Sequence, residues 1–283
     1  MPKKRHVPFE FMKILVCIPD YGEGQKNHLK RILHEYDSMI FDITVAVFLT
    51  DDMDFSQFNN IHIQKFFFDR EIKLMLAHQH KKFMAENIDN YDLFVYSEND
   101  MLITESNIDI FIKLSEKMRG TKFVPGFIRY ELKDDNYKYL IDFHSGNCTL
   151  RHGSFWMKFY ALKHYIVKNK VIESRLELNG EMYFEPNNLH QASYLLTRDQ
   201  FKMVLGSGSY FKGPDSGFGA VLESAASDVY FRCGLTKLIS MDFIQECLIH
   251  HLPNKYVNKF SQYNKKEVPN IEKLISIVKG IKN

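Results

Sequence analysis

Tyr91-Asp92-Leu93-Phe94-Val95-Tyr96-Ser97-Glu98-Asn99-Asp100-Met101-Leu102-Ile103 is the stretch that decides how this chain is read. A short apolar run, rich in β-branched and aromatic residues, climbs to two carboxylates and then turns apolar again. That pattern predicts a buried strand whose end carries Glu98 and Asp100. In extended backbone, residues two apart face the same way, so the two carboxylates are expected to converge. Two hard oxygen ligands side by side suit a divalent cation whose other positions go to water and substrate phosphates. An acidic turn capping an edge strand accounts for the same letters.

Upstream, residues 12–18 predict a buried first strand, ended by Pro19-Asp20-Tyr21-Gly22. A helix should follow, with Leu29, Ile32, Leu33 and Tyr36 on one face. Phe41 to Leu49 reads as a second strand closing on Thr50-Asp51-Asp52, and Ile61 to Phe68 as a shorter one. An amphipathic helix is expected across 71–88, with Ile72, Met75, Leu76 and Phe83 inward. Just downstream of the acidic stretch, a helix near 107–118 would bury Ile108, Phe111, Ile112 and Met118, with Ser106 as its cap and Gly120 as its stop. Strands alternating with helices of this length predict an α/β fold: a Rossmann-like, mainly parallel central sheet with helices on both faces. Gly22-Glu23-Gly24 lacks the third glycine and the offset of a dinucleotide fingerprint.

After about residue 120 the pattern is less regular. Strands fit Phe123 to Tyr130 and Tyr137 to Phe143, and a helix fits 154–168. Ala192 to Leu196 reads as a strand leading into a helix begun at Thr197. Ile271, Leu274, Ile275 and Val278 mark a last helix. The glycine-rich run from Gly206 to Gly219 reads either as a mobile loop of the kind that closes over a site or as a plain surface connection. No repeat or linker marks a boundary, so one domain is expected over 1–283, with a site-forming half at about 12–130 and a second half at about 131–270.

With 45% hydrophobic and 14% aromatic residues among 283, the chain can bury a large core. A formal charge of +2 gives no sign of a nucleic-acid surface or an electrostatic membrane patch. Lys3-Lys4-Arg5-His6 reads as a solvated arm, and residues 1–11, ahead of Met12, as a dispensable extension. No apolar run approaches the roughly 20 residues that span a bilayer, and the N-terminus lacks a signal-peptide core. Cys17, Cys148, Cys233 and Cys247 are scattered without a Cys-x-x-Cys pair, which predicts reduced thiols, no zinc site and a cytoplasmic location.

In open parallel sheets, ligands bind outside the carboxyl ends of the strands. Pro19-Asp20-Tyr21, Asp51-Asp52 and Glu98-Asn99-Asp100 all fall at such ends. An aromatic ring and a carboxylate beside a metal-ready pair suit a pyrimidine nucleotide, its base stacked on Tyr21. Turn formation is the plainer account of Asp51 and Asp52.

The order strand–Pro-Asp-Tyr, strand–Asp-Asp, helix, hydrophobic strand–Glu-x-Asp resembles the GT-A family of nucleotide-sugar glycosyltransferases over about residues 12–130. Glu98-Asn99-Asp100 stands where that family usually has Asp-x-Asp. The resemblance implies a GT-A-like fold with a less regular, acceptor-binding C-terminal half. It also implies transfer of a sugar from a nucleotide sugar, a UDP-sugar for preference, to a hydroxyl of a glycan or glycoconjugate. Mn²⁺ or Mg²⁺ would sit on the donor diphosphate, held by Asp100 and, through water, Glu98. Tyr21 and Asp51 or Asp52 would contact the nucleoside, with Pro19 and Asn99 beside them. His78 and Lys82, one helical turn apart, would reach phosphate or ribose, or else form a solvated helix face.

In the second half, Pro125-Gly126-Phe127-Ile128-Arg129-Tyr130-Glu131 resembles the acceptor wall of these enzymes, with Arg129 and Glu131 binding hydroxyls. Trp156 would stack on a sugar or fill the core. Glu223 first and Asp228 second are the carboxylates expected to take the acceptor proton in an inverting transfer. His251, with His250 in reserve, would be an additional metal ligand or an ordinary buried histidine. Lys255 would meet the diphosphate. Two other readings compete. A sugar-nucleotide nucleotidyltransferase would carry a basic, glycine-rich phosphate loop after the first strand, of which Gly22-Glu23-Gly24-Gln25-Lys26 is a poor version. A non-catalytic carbohydrate-binding protein would keep the aromatics and make the carboxylates structural.

Overall fold

The computed structural model describes residues 12–132, 137–142, 172–186, 188–213, 221–257 and 271–280. Strands β1 (Lys13–Asp20), β2 (Asp42–Leu49), β3 (His62–Phe67) and β4 (Leu93–Ser97) lie in the order β3-β2-β1-β4, all parallel. Ile14 to Ile18 and Val45 to Val47 are fully buried, as expected of strands covered on both faces. The chain moves outward from β1 to β2 and β3, then returns past β1 to β4. Right-handed crossovers therefore put the two connections on opposite faces. On one lies α1 (Lys26–Asp37), whose buried residues are Leu29, Ile32, Leu33 and Tyr36, the face expected from spacing.

The return connection differs from the single helix expected over 71–88. Arg70–His78 forms two 3₁₀ turns that meet at Lys73, whose φ of 48° breaks the helical path. Only then does α2 (His80–Glu86) begin. The kink and the three-residue pitch rotate the inward face. Leu76, Ala77, His78, His80, Lys81 and Met84 are buried, while Met75 points out.

Beyond β4 come β5 (Met101–Leu102) and α3 (Glu105–Lys117). Thr104, not Ser106, caps α3, and Thr104 and Asn107 form a reciprocal capping box. Asn107 also donates to the Glu246 and Leu248 carbonyls at 2.7 and 3.0 Å, which ties the helix start to a distant strand. Gly120, at φ +76°, ends this unit in a left-handed turn.

The expected strand from Phe123 to Tyr130 is two strands in two sheets. β6 (Phe123–Pro125) joins a four-stranded sheet in the order β6-β12-β10-β9, with β9 (Ile172–Leu178), β10 (Glu181–Pro186) and β12 (Thr236–Ser240). β7 (Ile128–Leu132) joins another in the order β5-β13-β7-β8, with β8 (Lys138–Leu140) and β13 (Leu248–His251). The break falls at Gly126, where a Cβ would lie 2.3 Å from the Lys237 side chain. Only glycine leaves room there for the Lys237 stem.

Finally, β11 (Ser193–Thr197) lies antiparallel along the outer side of β4, pairing Ser193 with Ser97 and Thr197 with Leu93. Thr197 then caps α4 (Arg198–Gly206). α5 (Val221–Phe231) packs on the 70–78 segment and on β11. α6 (Ile271–Gly280) buries Ile271, Leu274 and Val278. The fold is thus mixed α/β around a largely parallel sheet. Among the described residues, no helix is long and apolar enough to cross a membrane. The expected helix at 154–168, Trp156, Cys148, Phe143 and the 214–220 part of the glycine-rich run lie outside the described residues. Within that run, Tyr210 is buried, its hydroxyl 2.7 Å from that of Tyr194.

Candidate functional site

In the order β3-β2-β1-β4 the winding reverses between β1 and β4, and the crevice at such a point opens at the strands' carboxyl ends. Asp20 ends β1, and Glu98-Asn99-Asp100 follows β4. The two are joined directly: Asn99 Nδ2 donates to Asp20 Oδ1 at 2.5 Å. Asp20 is buried, and burial raises its carboxyl pKa despite the Asn99 bond.

The acidic tip is a turn, not the extended end that spacing suggested. β4 stops at Ser97, and the Met101 amide reaches back to the Glu98 carbonyl at 3.3 Å. Asp100 is buried, and its Oδ1 has no hydrogen-bond partner among the described residues. Its Oδ2 lies 3.3 Å from His251 Nε2 and 3.9 Å from Lys255 Nζ. Burial works to raise the Asp100 carboxyl, but His251, Lys255 and Arg129 outweigh it and hold the group below its ordinary range. Glu98 goes the other way: burial, and then Asp100, push it up to about 8. The tip therefore sets one carboxylate held below its ordinary range beside one raised above it, as neighbouring acids are driven apart.

His251 comes from β13, whose antiparallel pairing with β5 sets His251 opposite Met101, next to Asp100. Its Nδ1 meets Glu131 Oε1 at 2.5 Å. Glu131 is completely buried, and its other oxygen accepts the Tyr256 and Val257 amides at 2.8 and 2.5 Å. With Nδ1 held by a carboxylate, Nε2 is turned toward Asp100. That orientation is the one a metal-ligating histidine takes when a second carboxylate fixes its tautomer. Burial opposes charge on His251, yet Asp100 and Glu131 prevail and raise its pKa. His250 faces away, stacked on Tyr130 with ring centres 4.9 Å apart and bonded to Asn254.

Among the described residues, no three His, Cys, Asp or Glu side chains converge closely enough to enclose a metal alone. The unpartnered Asp100 oxygen, the raised Glu98 and the aimed imidazole fit a sparsely held cation that shares its sphere with water and a ligand's phosphates. They do not fit a closed structural site.

The other expected residues divide. Tyr21 is exposed at the mouth of the crevice, its hydroxyl donating to the Arg70 carbonyl at 3.2 Å. Asp51 ion-pairs with Arg70 and accepts from Thr50 at 2.9 Å, while Asp52 pairs with Lys65 at 2.9 Å. Pro19 lies inside β1 and extends it two residues past its expected end, beyond the last pairing with β4. His78 is buried, 2.9 Å from the Val221 carbonyl, and burial lowers its pKa. Lys82 is out in solvent, 3.7 Å from Glu86. These two do not share a face.

Arg129 and Glu131 are both engaged inside the protein. Arg129 is buried and grips Asp142 through two bonds of 2.7 and 2.6 Å, and the Glu131 oxygens are taken as described. Glu223 is exposed on α5. Asp228 is buried between Lys81 at 2.8 Å and Arg232 at 3.2 Å. A carboxylate compensated by two cations and shielded from solvent has no route to an acceptor proton. Its place is to bind α5 to α2.

Two residues near the tip escaped sequence reading. Lys237 is buried on β12, and burial pushes it down to about 7. Burial, then Arg129, pushes His190 down to about 3. A lysine inside a short apolar strand, Thr236–Ser240, was the available signal. No protein-family model matches the chain, and no curated protein matches it either.

Proposed function

We propose that this protein is a GT-A-like glycosyltransferase that uses a nucleotide sugar, a UDP-sugar for preference, together with a divalent cation. The observation that carries the reading is the acidic pair Glu98 and Asp100 at the winding reversal beside Asp20, with one Asp100 oxygen unpartnered among the described residues and the His251 imidazole aimed at the other. Asp100 and His251 would hold Mn²⁺ or Mg²⁺, Glu98 through water, with Glu131 fixing the imidazole. A cation bound there would neutralise charge on the departing nucleoside diphosphate. Lys255, 3.9 Å from Asp100, can follow the same diphosphate. Tyr21 offers its exposed ring to the base, and Asp51, held by Thr50 and Arg70, offers an oriented carboxylate to the nucleoside. Of the two carboxylates expected as the base of an inverting transfer, only the exposed Glu223 keeps that role.

Incubating the full chain with a panel of nucleotide sugars and Mn²⁺ tests the proposal. Release of nucleoside diphosphate, even by slow hydrolysis, and its loss in Asp100→Ala are expected. Pyrophosphate formation from a sugar phosphate would replace this reading with a nucleotidyltransferase. Sugar binding with neither reaction would replace it with a carbohydrate-binding protein.

A further inference from the structure

A second group of polar side chains, with Lys237 and Gln191 buried among them, lies beside the acidic tip, where three segments meet. Lys237 Nζ reaches the Leu189 carbonyl at 3.4 Å, and its stem crosses the bare face of Gly126. Gln191 Oε1 accepts the Phe127 amide at 2.9 Å, and Asn188 donates to the Asp142 carbonyl at 3.3 Å. Arg129 links the group to the tip, since it acts electrostatically on both Glu98 and Asp100.

The unused hydrogen-bonding capacity here is one-sided. Lys237 has three donors and a single long bond. Gln191 Nε2, on a side chain 1% exposed, has no partner among the described residues, and neither has His190 Nδ1, which donates in one of the two neutral tautomers of the ring. Asp142, the carboxylate in the group, has both oxygens on Arg129. Buried donors left unmatched cost stability, so their concentration calls for an explanation. A neutral hydroxyl brings one donor and two acceptor lone pairs. A carboxylate or phosphate brings acceptors alone and a charge that matches Lys237.

We propose that Lys237, Gln191 and His190 form an anion-reading subsite next to the acidic tip, which takes the carboxylate or phosphate group of a sugar. The subsite deepens the transferase reading and rests on it for its role in substrate choice, but its binding needs neither donor nor metal. Arg129 and Asp142 form its floor and fix the distance between the anionic group and the tip. The sugar handled by this protein is then acidic, a uronic acid or a sugar phosphate.

Calorimetric titration of the full chain with glucuronate, glucose 6-phosphate, inorganic phosphate and glucose, without metal, tests the assignment. Binding of at least one anionic probe, and none of glucose, is expected. A preference for glucuronate over glucose 6-phosphate identifies a carboxylate reader, and the reverse a phosphate reader. Lys237→Met should weaken that binding by about tenfold or more, the loss of one charge-assisted bond. Gln191→Glu keeps the oxygen that holds Phe127 and replaces the free donors with negative charge, so it should abolish anion binding in a folded protein. Equal binding of glucose and the anions, no binding of any probe, or anion binding unchanged in Gln191→Glu would overturn the proposal. Should the anions bind while no nucleotide sugar is ever turned over, the subsite stands and the transferase reading falls.

Discussion

Replacing Lys237 with methionine should make this protein more stable at neutral and acid pH. The ammonium is almost completely enclosed, and burial carries its pKa from 10.5 to about 7. Each pH unit of displacement corresponds to about 1.36 kcal/mol, so the protonated form is disfavoured in the fold by about 5 kcal/mol. A group whose folded pKa lies below its unfolded one binds fewer protons when folded, so stability climbs with pH between the two values. For Lys237 that window runs from about 7 to 10.5. Methionine has a similar length and no charge. Its one liability is the Leu189 carbonyl left without its lysine partner, worth about 1–2 kcal/mol. The net expectation at pH 6 is a gain of about 3 kcal/mol. Urea unfolding of both proteins from pH 6 to 10 gives the check, because the difference between them removes every other titrating group. It should be flat below pH 7, shrink steadily above it, and reverse sign before pH 10.5. A methionine variant that is less stable at pH 6, or a difference that does not change with pH, would show that the ammonium is solvated and the reasoning wrong.

Glu131→Ala should be among the most damaging single changes. It strands the His251 Nδ1–H and two backbone amides inside the protein, and at about 1–3 kcal/mol each the loss should be on the order of 3–9 kcal/mol in urea unfolding. A loss under 1 kcal/mol would mean that water replaces the carboxylate. Asp228→Ala leaves Lys81 buried without its counter-charge and should cost about 3–5 kcal/mol, whereas Glu223→Ala, on the exposed side of the same helix, should stay within about 0.5 kcal/mol. Similar losses for the two would contradict the burial seen for α5. Glu98 keeps its proton up to about pH 8, so a cation must displace that proton to bind. Mn²⁺ affinity, followed by titration calorimetry, should rise with pH between about 6 and 8 in the native protein and in Glu98→Gln alike, because His251 with its raised pKa also gives up a proton. The rise should be steeper in the native protein than in Glu98→Gln, by up to about tenfold per pH unit. Equal slopes would exclude Glu98 from the cation's surroundings.

Where the sequence was legible, it was so because burial follows local period. The α1 face is spelled by Leu29, Ile32, Leu33 and Tyr36, and the parallel strands by unbroken apolar runs such as Ile14 to Ile18. Both depend on neighbours a few residues away. The acidic tip was legible for the same reason, as two acids at the end of such a run. Its geometry was not, because the turn at 98–101 is set by β5 pairing with β13, almost 150 residues later. Lys73 hid the break in the 70–86 connection, since a lysine at φ 48° has no compositional mark. One missed element did carry a local signal: Asn179-Gly180, both at positive φ, forms the tight turn that Asn-Gly favours between β9 and β10. Lys237 and His190 remained hidden because a single buried cation gains its meaning from Gly126, Asp142 and Leu189, which only the folded chain assembles.

The antiparallel placement of β11 has a consequence for how the chain can be cut. β4 supplies the acidic tip, yet one of its two edges is covered by a segment translated about 100 residues later, and Arg198 just beyond that segment clamps Asp92 at the base of β4. A fragment ending near residue 130 would keep every strand of the parallel core and still leave that edge bare, a ready template for another chain. Such a fragment should be recovered as aggregate. Nucleotide binding should then be sought in polypeptides that extend at least through Thr197.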